Sequence, residues 1–318
     1  MKKTNKPLII LTGPTAVGKS ALSIQLAKEV GGEIISADSM QVYRHMDIGS
    51  AKIRPEEMGG IPHHMVNILE PKEEFNVVLF QKIAKECMEG IYQKGRVPII
   101  VGGTGFYIQS ILYDIDFTKN EENTAYRQRL EELVRTKGNG VLHQMLEEVD
   151  KAAADAIHEN NVKRVIRALE FHMLTGHKIS EHNELQREKI SAYCSCYFVL
   201  NDRRDLLYER IDKRVDLMMQ EGLVDEVKRL QEMGCNKNMV SMQGLGYKEI
   251  LSALEGEISL EEAVYLIKRD TRHFAKRQLT WFRREKDVIW MNKDEFSYDE
   301  RAILDAMMKK YEEIINNV

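Results

Sequence analysis

The sequence predicts an α/β protein: a P-loop NTPase-like parallel sheet flanked by helices, carrying an inserted all-helical domain. Three observations predict it. A short apolar run at residues 8–11 leads through a glycine-containing turn into a helix-forming segment. A second apolar run, residues 97–101, does the same. From about 117 to 191 the alternation stops and only helical periodicity remains.

The elements follow in order. Residues 8–12 read as a buried strand, 20–30 as a helix stopped by Gly31-Gly32, and 33–36 as a second strand. The run 97–101 precedes Gly102-Gly103-Thr104-Gly105 and an apolar helix over 106–112; strand, glycine turn and helix in that order imply parallel pairing. In the insert, Tyr126, Leu130, Leu133 and Val134 make one helical stripe and Val162, Val165, Ile166 and Leu169 another, with Gly138 and Gly176 as punctuation. The run 193–200 returns to the sheet and long helices follow from about 206. The expected division is 1–116 with 192–318 as the P-loop core, and 117–191 as the helical insert.

At 318 residues there is room for roughly two domains, and 43% hydrophobic with 30% charged residues excludes disordered and fibrous classes. A net charge of -4 gives no global pull on nucleic acid, so any RNA binding must rest on a local basic surface. Cys87, Cys194, Cys196 and Cys235 form no C-x-x-C pair, which argues against structural zinc and for reduced thiols. The first apolar run is too short for a secretion signal, and no stretch reaches the roughly 18 apolar residues of a bilayer span. A soluble, cytoplasmic monomer without membrane association is expected.

Gly13-Pro14-Thr15-Ala16-Val17-Gly18-Lys19-Ser20 fits G-x-x-x-x-G-K-[ST] between a strand and a helix. Small residues let successive backbone N–H groups converge on phosphate oxygens, and the helix N-terminus adds partial positive charge. Lys19 would neutralise the phosphate and the Ser20 hydroxyl would ligate Mg²⁺. Such a loop recognises a pyrophosphate group, not a base. The strand at 97–101 ends without the carboxylate that NTPases use for Mg²⁺, which disfavours a motor or GTPase and leaves small-molecule kinases open. Asp38 falls at the carboxyl end of the second strand, where ligands of open α/β sheets bind; it reads equally as a general base or as a helix N-cap.

Taken together, GPTAVGKS at 13–20, DSMQVYRHMDIGSAK at 38–52, IPHH at 61–64, GGTGFY at 102–107 and RHFAKRQLTWFRR at 272–284 resemble the tRNA dimethylallyltransferase (tRNA isopentenyltransferase) family over almost the whole chain. His45 stands where the family has glycine, Ser50 where threonine and Ile53 where proline are usual. The family's eukaryotic zinc finger is lacking, so the bacterial type is the nearer one. The resemblance implies transfer of a dimethylallyl group from its diphosphate to N6 of the adenosine 3′ of the tRNA anticodon, with pyrophosphate leaving. It implies Asp38 as base, Thr104 beside it, Asp38, Ser39, Met40 and Gln41 at the target nucleotide, and Arg127 with Lys163, Arg164, Val165, Ile166 and Arg167 as tRNA contacts.

Arg210 and Arg214, one helical turn apart, could clamp the diphosphate or simply pair with surface acids. Residues 268–286 hold eight Lys or Arg and two acids with Phe274, Trp281 and Phe282 interleaved. Arg272, Lys276, Arg277 and Arg283 could contact RNA phosphates while the aromatics stack on bases; alternatively the aromatics are core and the charges a solvated face. The rival functions are a nucleotide or metabolite kinase, a prenyltransferase acting on free AMP, and a non-catalytic RNA-binding regulator.

Overall fold

The computed structural model describes residues 6–117, 124–188 and 190–316. Its chain divides into two compact units, Met1–Leu112 with Ser191–Val318, and Tyr113–Ile190.

In the larger unit β1 (Pro7–Thr12) leads to α1 (Lys19–Val30), β2 (Gly32–Ala37), β3 (His63–His64), α2 (Val77–Gln93), β4 (Val97–Gly102) and α3 (Gly105–Leu112). Among the described residues six strands pair in parallel in the order β3-β2-β4-β1-β5-β6, where β5 is Cys194–Asn201 and β6 is Val288–Asn292. Parallel strands covered on both faces need apolar side chains on both, which explains the unbroken Leu8-Ile9-Ile10-Leu11 run. Ile9, Leu11, Ile34, Ile99, Phe198 and Leu200 share a core with Leu22 and Leu26 of α1. Between β5 and β6 run α9 (Arg204–Gln220), α10 (Leu223–Glu232), α11 (Tyr247–Leu254) and α12 (Leu260–Phe282); α13 (Glu300–Asn316) closes the chain and brings Ile303, Leu304 and Met307 to the same core. Among the described residues the smaller unit holds α4 (Thr124–Lys137), α5 (Asn139–Val149), α6 (Lys151–Ala156), α7 (Val162–Thr175) and α8 (Ile179–Glu188).

Glycine does specific work at two ends. Gly31 takes φ 61 and closes α1, and Gly176 at φ 71 closes α7, a conformation that costs a residue with a Cβ. The helix α2 and the strands β3 and β6 were not read from the sequence. The helix α2 starts where the Asn76 side chain accepts from the Leu79 N–H and then buries Phe80, Ala84, Met88 and Ile91. Two residues of β3 exist because His63 and His64 pair with Ile34 and Ile35. At the β2 end, Glu33 is buried and receives His64 Nε2 at 2.7 Å, Arg96 at 2.8 Å and Lys94 at 3.1 Å.

The smaller unit is all helix. Its core joins Leu130, Leu142, Leu146, Val165, Ile166 and Leu169, with Tyr126, Leu133, Val134 and Val162 packed around it, so the two stripes visible in the sequence face one another. Among the described residues no helix is long and apolar enough to cross a membrane.

Candidate active site

The carboxyl edge of the sheet carries the candidate residues of the phosphate loop and of the turns after β2 and β4. β1 delivers the phosphate loop, where Gly13 lies so close under the Leu200 carbonyl that a Cβ would overlap it, and Gly18 turns at φ 99 to start α1. Ala16 at φ 63 completes the curl. No side chain caps α1 and its first turn holds no acid, so its amides remain directed at the loop. Lys19 Nζ donates to the Gly13 and Pro14 carbonyls at 3.0 and 2.8 Å. Burial and then the nearby Arg214 push its pKa down to about 7, against the opposing pull of Asp38. A polyanion over the loop would restore the charged form. Ser20 is exposed at the helix start.

Strand register sets the next pair. Ala37 of β2 lies opposite Gly102 of β4, and the backbones approach closely enough that a Cβ on Gly102 would strike Ala37. Asp38 and Thr104 follow these positions by one and two residues, at the carboxyl ends of neighbouring strands. Asp38 Oδ1 accepts the Met40 N–H at 2.8 Å and the Gln41 N–H at 3.3 Å, while Oδ2 makes no hydrogen bond among the described residues. One oxygen thus caps the turn and the other stays available, so the two readings of this residue are compatible. The Thr104 carbonyl accepts from the Tyr107 N–H as α3 begins.

The segment after Asp38 is held by two buried charges. Lys52 donates to the Tyr43 carbonyl at 2.5 Å and to Asp47 and Asn67 at 2.7 Å each. Glu226 of α10 accepts from the amides of Asp47, Ile48 and Gly49 and from the Tyr247 hydroxyl at 2.7 Å. Gln41 is fixed by Ser36 and by the Ala51 carbonyl, and Ser39 and Met40 remain half-buried beside it. Met40 lies against Gly244, so the turn leading into α11 packs on the candidate nucleotide segment.

Of the two arginines on α9, Arg210 forms an ion pair with the buried Asp202. Arg214 makes none among the described residues, and its charge is felt by Lys19 and by Asp38; burial lowers its pKa and Asp38 raises it. A residue missed in the sequence completes the centre. Gln278 of α12, only 6% exposed, accepts the Thr15 N–H at 2.9 Å and donates to the Gly103 carbonyl at 3.0 Å, so one amide joins the phosphate loop to the Thr104 turn.

Comparison with known proteins places this geometry. The family described as IPP transferase matches residues 41–285, and that described as isopentenyl transferase matches residues 6–67. A tRNA dimethylallyltransferase of Lachnoclostridium phytofermentans is 63% identical over 304 residues, 96% of this chain and 97% of its own. The chain belongs to the tRNA dimethylallyltransferase family. The Carboxydothermus hydrogenoformans tRNA dimethylallyltransferase is 50% identical over 310 residues, covering 96% and 99% of the two chains. Among solved structures, the Bacillus halodurans tRNA isopentenylpyrophosphate transferase superposes with a TM-score of 0.73 at 43% identity over 98% of each chain. A eukaryotic dimethylallyltransferase acting on tRNA gives 0.81 at 30% identity, covering 98% of this chain and 80% of that one.

Further candidates in this dimethylallyltransferase-family chain lie on α12 and in the helical unit. Along α12, Arg272 is paired with Asp212 at 2.5 Å, Lys268 with Asp216 at 2.5 Å, and Arg269 with Asp270. Lys276, Arg277 and Arg283 are exposed without an ion pair among the described residues, so the unmatched charge lies on the second half of the helix. The aromatics pack instead: Phe282 is fully buried, and the Trp281 indole fills the space a Cβ on Gly105 would need. Phe274 lies beneath the Arg277 guanidinium, 5.8 Å from its ring centre.

In the helical unit Lys163, Arg164 and Arg167 are exposed, whereas Val165 and Ile166 are 1% and 4% exposed. The side chains of these two are core and cannot reach RNA; they orient the cations beside them. Arg127 grips the buried Glu170 through Nε and a terminal nitrogen at 2.9 and 2.8 Å.

Proposed function

We propose that the chain transfers a dimethylallyl group from dimethylallyl diphosphate to N6 of the adenosine 3′ of a tRNA anticodon, releasing pyrophosphate. The observation that carries the reading is that Asp38 and Thr104 follow the ends of the neighbouring strands β2 and β4, whose last paired residues are Ala37 and Gly102, on the sheet edge that also carries the phosphate loop and where β4 ends without a carboxylate.

The loop amides, Lys19 and Arg214 would hold the diphosphate, opposing charge that grows on the leaving group as the carbon–oxygen bond breaks. An adenine amine is a poor nucleophile, and attack releases a proton. Asp38 Oδ2 accepts it, while Oδ1 stays pinned by the Met40 and Gln41 amides. Thr104 orients the amine from the neighbouring turn. Mg²⁺ fits the site through Ser20, whose side chain is exposed at the helix start and would hold the ion beside the diphosphate. When bound, it would supply neutralising charge to the diphosphate.

A stacked adenine must leave the anticodon loop to be reached. Within each unit, phosphate contacts fall to exposed cations: Lys276 and Arg277 on α12 with Arg283 at its end, and Lys163 and Arg164 on α7, with Arg167 exposed beside them.

The test combines unmodified tRNA, Mg²⁺ and labelled dimethylallyl diphosphate, followed by mapping of the labelled nucleotide. Label at the adenosine after the anticodon is expected, and ATP with the same acceptors should release no ADP. Asp38→Asn should cut kcat by roughly 10²- to 10⁴-fold and leave tRNA affinity within about twofold. A variant with the wild-type rate would remove Asp38 from its role.

A further inference from the structure

The carboxyl edge continues past the phosphate loop onto β5 and β6. Asn201 and Asn292 pair in register at the ends of these strands, and the Asn201 side-chain amide donates to Asn292 at 2.9 Å. This seats the following residue, Lys293, on the same edge as the loop. Its backbone opens a short 3-10 turn over Lys293–Phe296, closed by the Tyr298 N–H on the Lys293 carbonyl.

The side chain is the unusual part. Lys293 is only 9% exposed, yet its ammonium makes no hydrogen bond or ion pair among the described residues. It points at the start of α1: a Cβ placed on Gly18 would lie 3.5 Å from Nζ. That helix has neither a capping side chain nor an acid in its first turn. The neighbouring Arg210 is already matched by Asp202 and repels the ammonium, whereas Glu300 attracts it without pairing. Burial first, and then Arg210, hold the pKa of Lys293 below that of an ordinary lysine. A largely buried cation facing the positive end of a helix is unfavourable unless an anion lies between them.

We propose that Lys293 is a further phosphate-binding residue, whose ammonium, together with the amides at the start of α1, takes the terminal phosphate of the prenyl diphosphate. The strand order identifies which phosphate. Asp38 and Thr104 follow β2 and β4 on one side of β1, while Lys293 follows β6 on the other. The ester carbon must face Asp38, so the end of the diphosphate remote from the prenyl chain faces Lys293. The assignment rests on the prenyl diphosphate being the occupant of the loop. It gives the site a means to prefer a diphosphate to a monophosphate and to hold pyrophosphate as it departs, through a residue outside the loop motif.

The test replaces Lys293 with Met, which keeps the buried stem and removes the charge, and with Arg, which keeps the charge. Calorimetry measures inorganic pyrophosphate, dimethylallyl diphosphate and dimethylallyl monophosphate against each variant, with Lys19→Ala in parallel and thermal melts as a folding control. Lys293→Met should weaken pyrophosphate and the diphosphate by roughly tenfold to a hundredfold, leave the monophosphate within about twofold, and keep the melting temperature at or above wild type. Lys293→Arg should recover part of the loss. Unchanged diphosphate affinity, or equal weakening of mono- and diphosphate, overturns the assignment. If Lys19→Ala weakens the donor while Lys293→Met does not, only this inference fails. If neither does, the donor is not at the loop and the functional reading falls with it.

Discussion

Gln278→Ala removes two hydrogen bonds at once, those to the Thr15 N–H at 2.9 Å and to the Gly103 carbonyl at 3.0 Å. Both partners are backbone groups and Gln278 is 6% exposed, so each is left without a replacement wherever water cannot follow. An unsatisfied buried group costs about 1–3 kcal/mol, which for two gives about 2–6 kcal/mol on paper, and relaxation of the two turns should bring the observed loss toward the lower end. The turns carry Lys19 on one side and Thr104 on the other, and a shift near 1 Å between them would cost about a hundredfold in rate. Steady-state kinetics with saturating tRNA, alongside thermal melts, reads both effects. Gln278→Glu separates them: its carboxylate can still accept from Thr15 but cannot donate to Gly103, so the fold should survive better than kcat. A Gln278→Ala variant with wild-type kcat and KM would refute the idea that this amide sets the distance between the loop and the Thr104 turn.

Three other outcomes follow from the charges. The Lys19 pKa near 7 should rise when a diphosphate binds, so at pH 8 binding takes up about one proton, seen as a buffer-dependent heat that vanishes in Lys19→Arg; affinity should fall as pH climbs past 7. Burial alone would raise the Glu33 pKa, but hydrogen bonds with His64 and Lys94 hold it below the ordinary glutamate value; its contribution is therefore present above that value and lost as pH falls through the folded one. Glu33→Gln should destabilise by about 3 kcal/mol at pH 7 and converge with wild type in acid melts once the pH has fallen through the depressed folded value. Glu285, which accepts from Gln109 at 2.7 Å, is pushed up to about 7 by burial, so the folded state binds its proton more tightly and stability declines as pH rises through that range. Glu285→Gln should raise the melting temperature at pH 8 and leave it unchanged at pH 5.

What the sequence made legible was local. The phosphate loop is contiguous, β1 is an unbroken apolar run, and Asp38 stands one residue past the second strand. Elements that owe their existence to distant partners were invisible: β3 is two residues long and defined by pairing with β2, and β6 is a half-buried edge. The same holds for Gln278 and Lys293, whose roles depend on backbone that lies more than two hundred and fifty positions earlier in Thr15 and Gly18. A signal for Gln278 was present, since Ala275, Gln278 and Phe282 share the buried stripe of α12 and an amide in such a stripe demands partners. The basic stretch at 268–286 misled in one respect. Its charge count could not reveal that Asp212 and Asp216 of α9 neutralise the first half of the helix.

The position of β1 between β4 and β5 has a consequence for how the protein is made. The phosphate loop lies within the first twenty residues synthesised, but its seat under Leu200 and its tether to Gln278 arrive only when most of the chain has been made. Growing chains should therefore be inert toward the prenyl donor, and the capacity to bind it should switch on late, as a property of the finished sheet. Any truncation that ends before α12 would forfeit chemistry while retaining every residue of the recognisable motif.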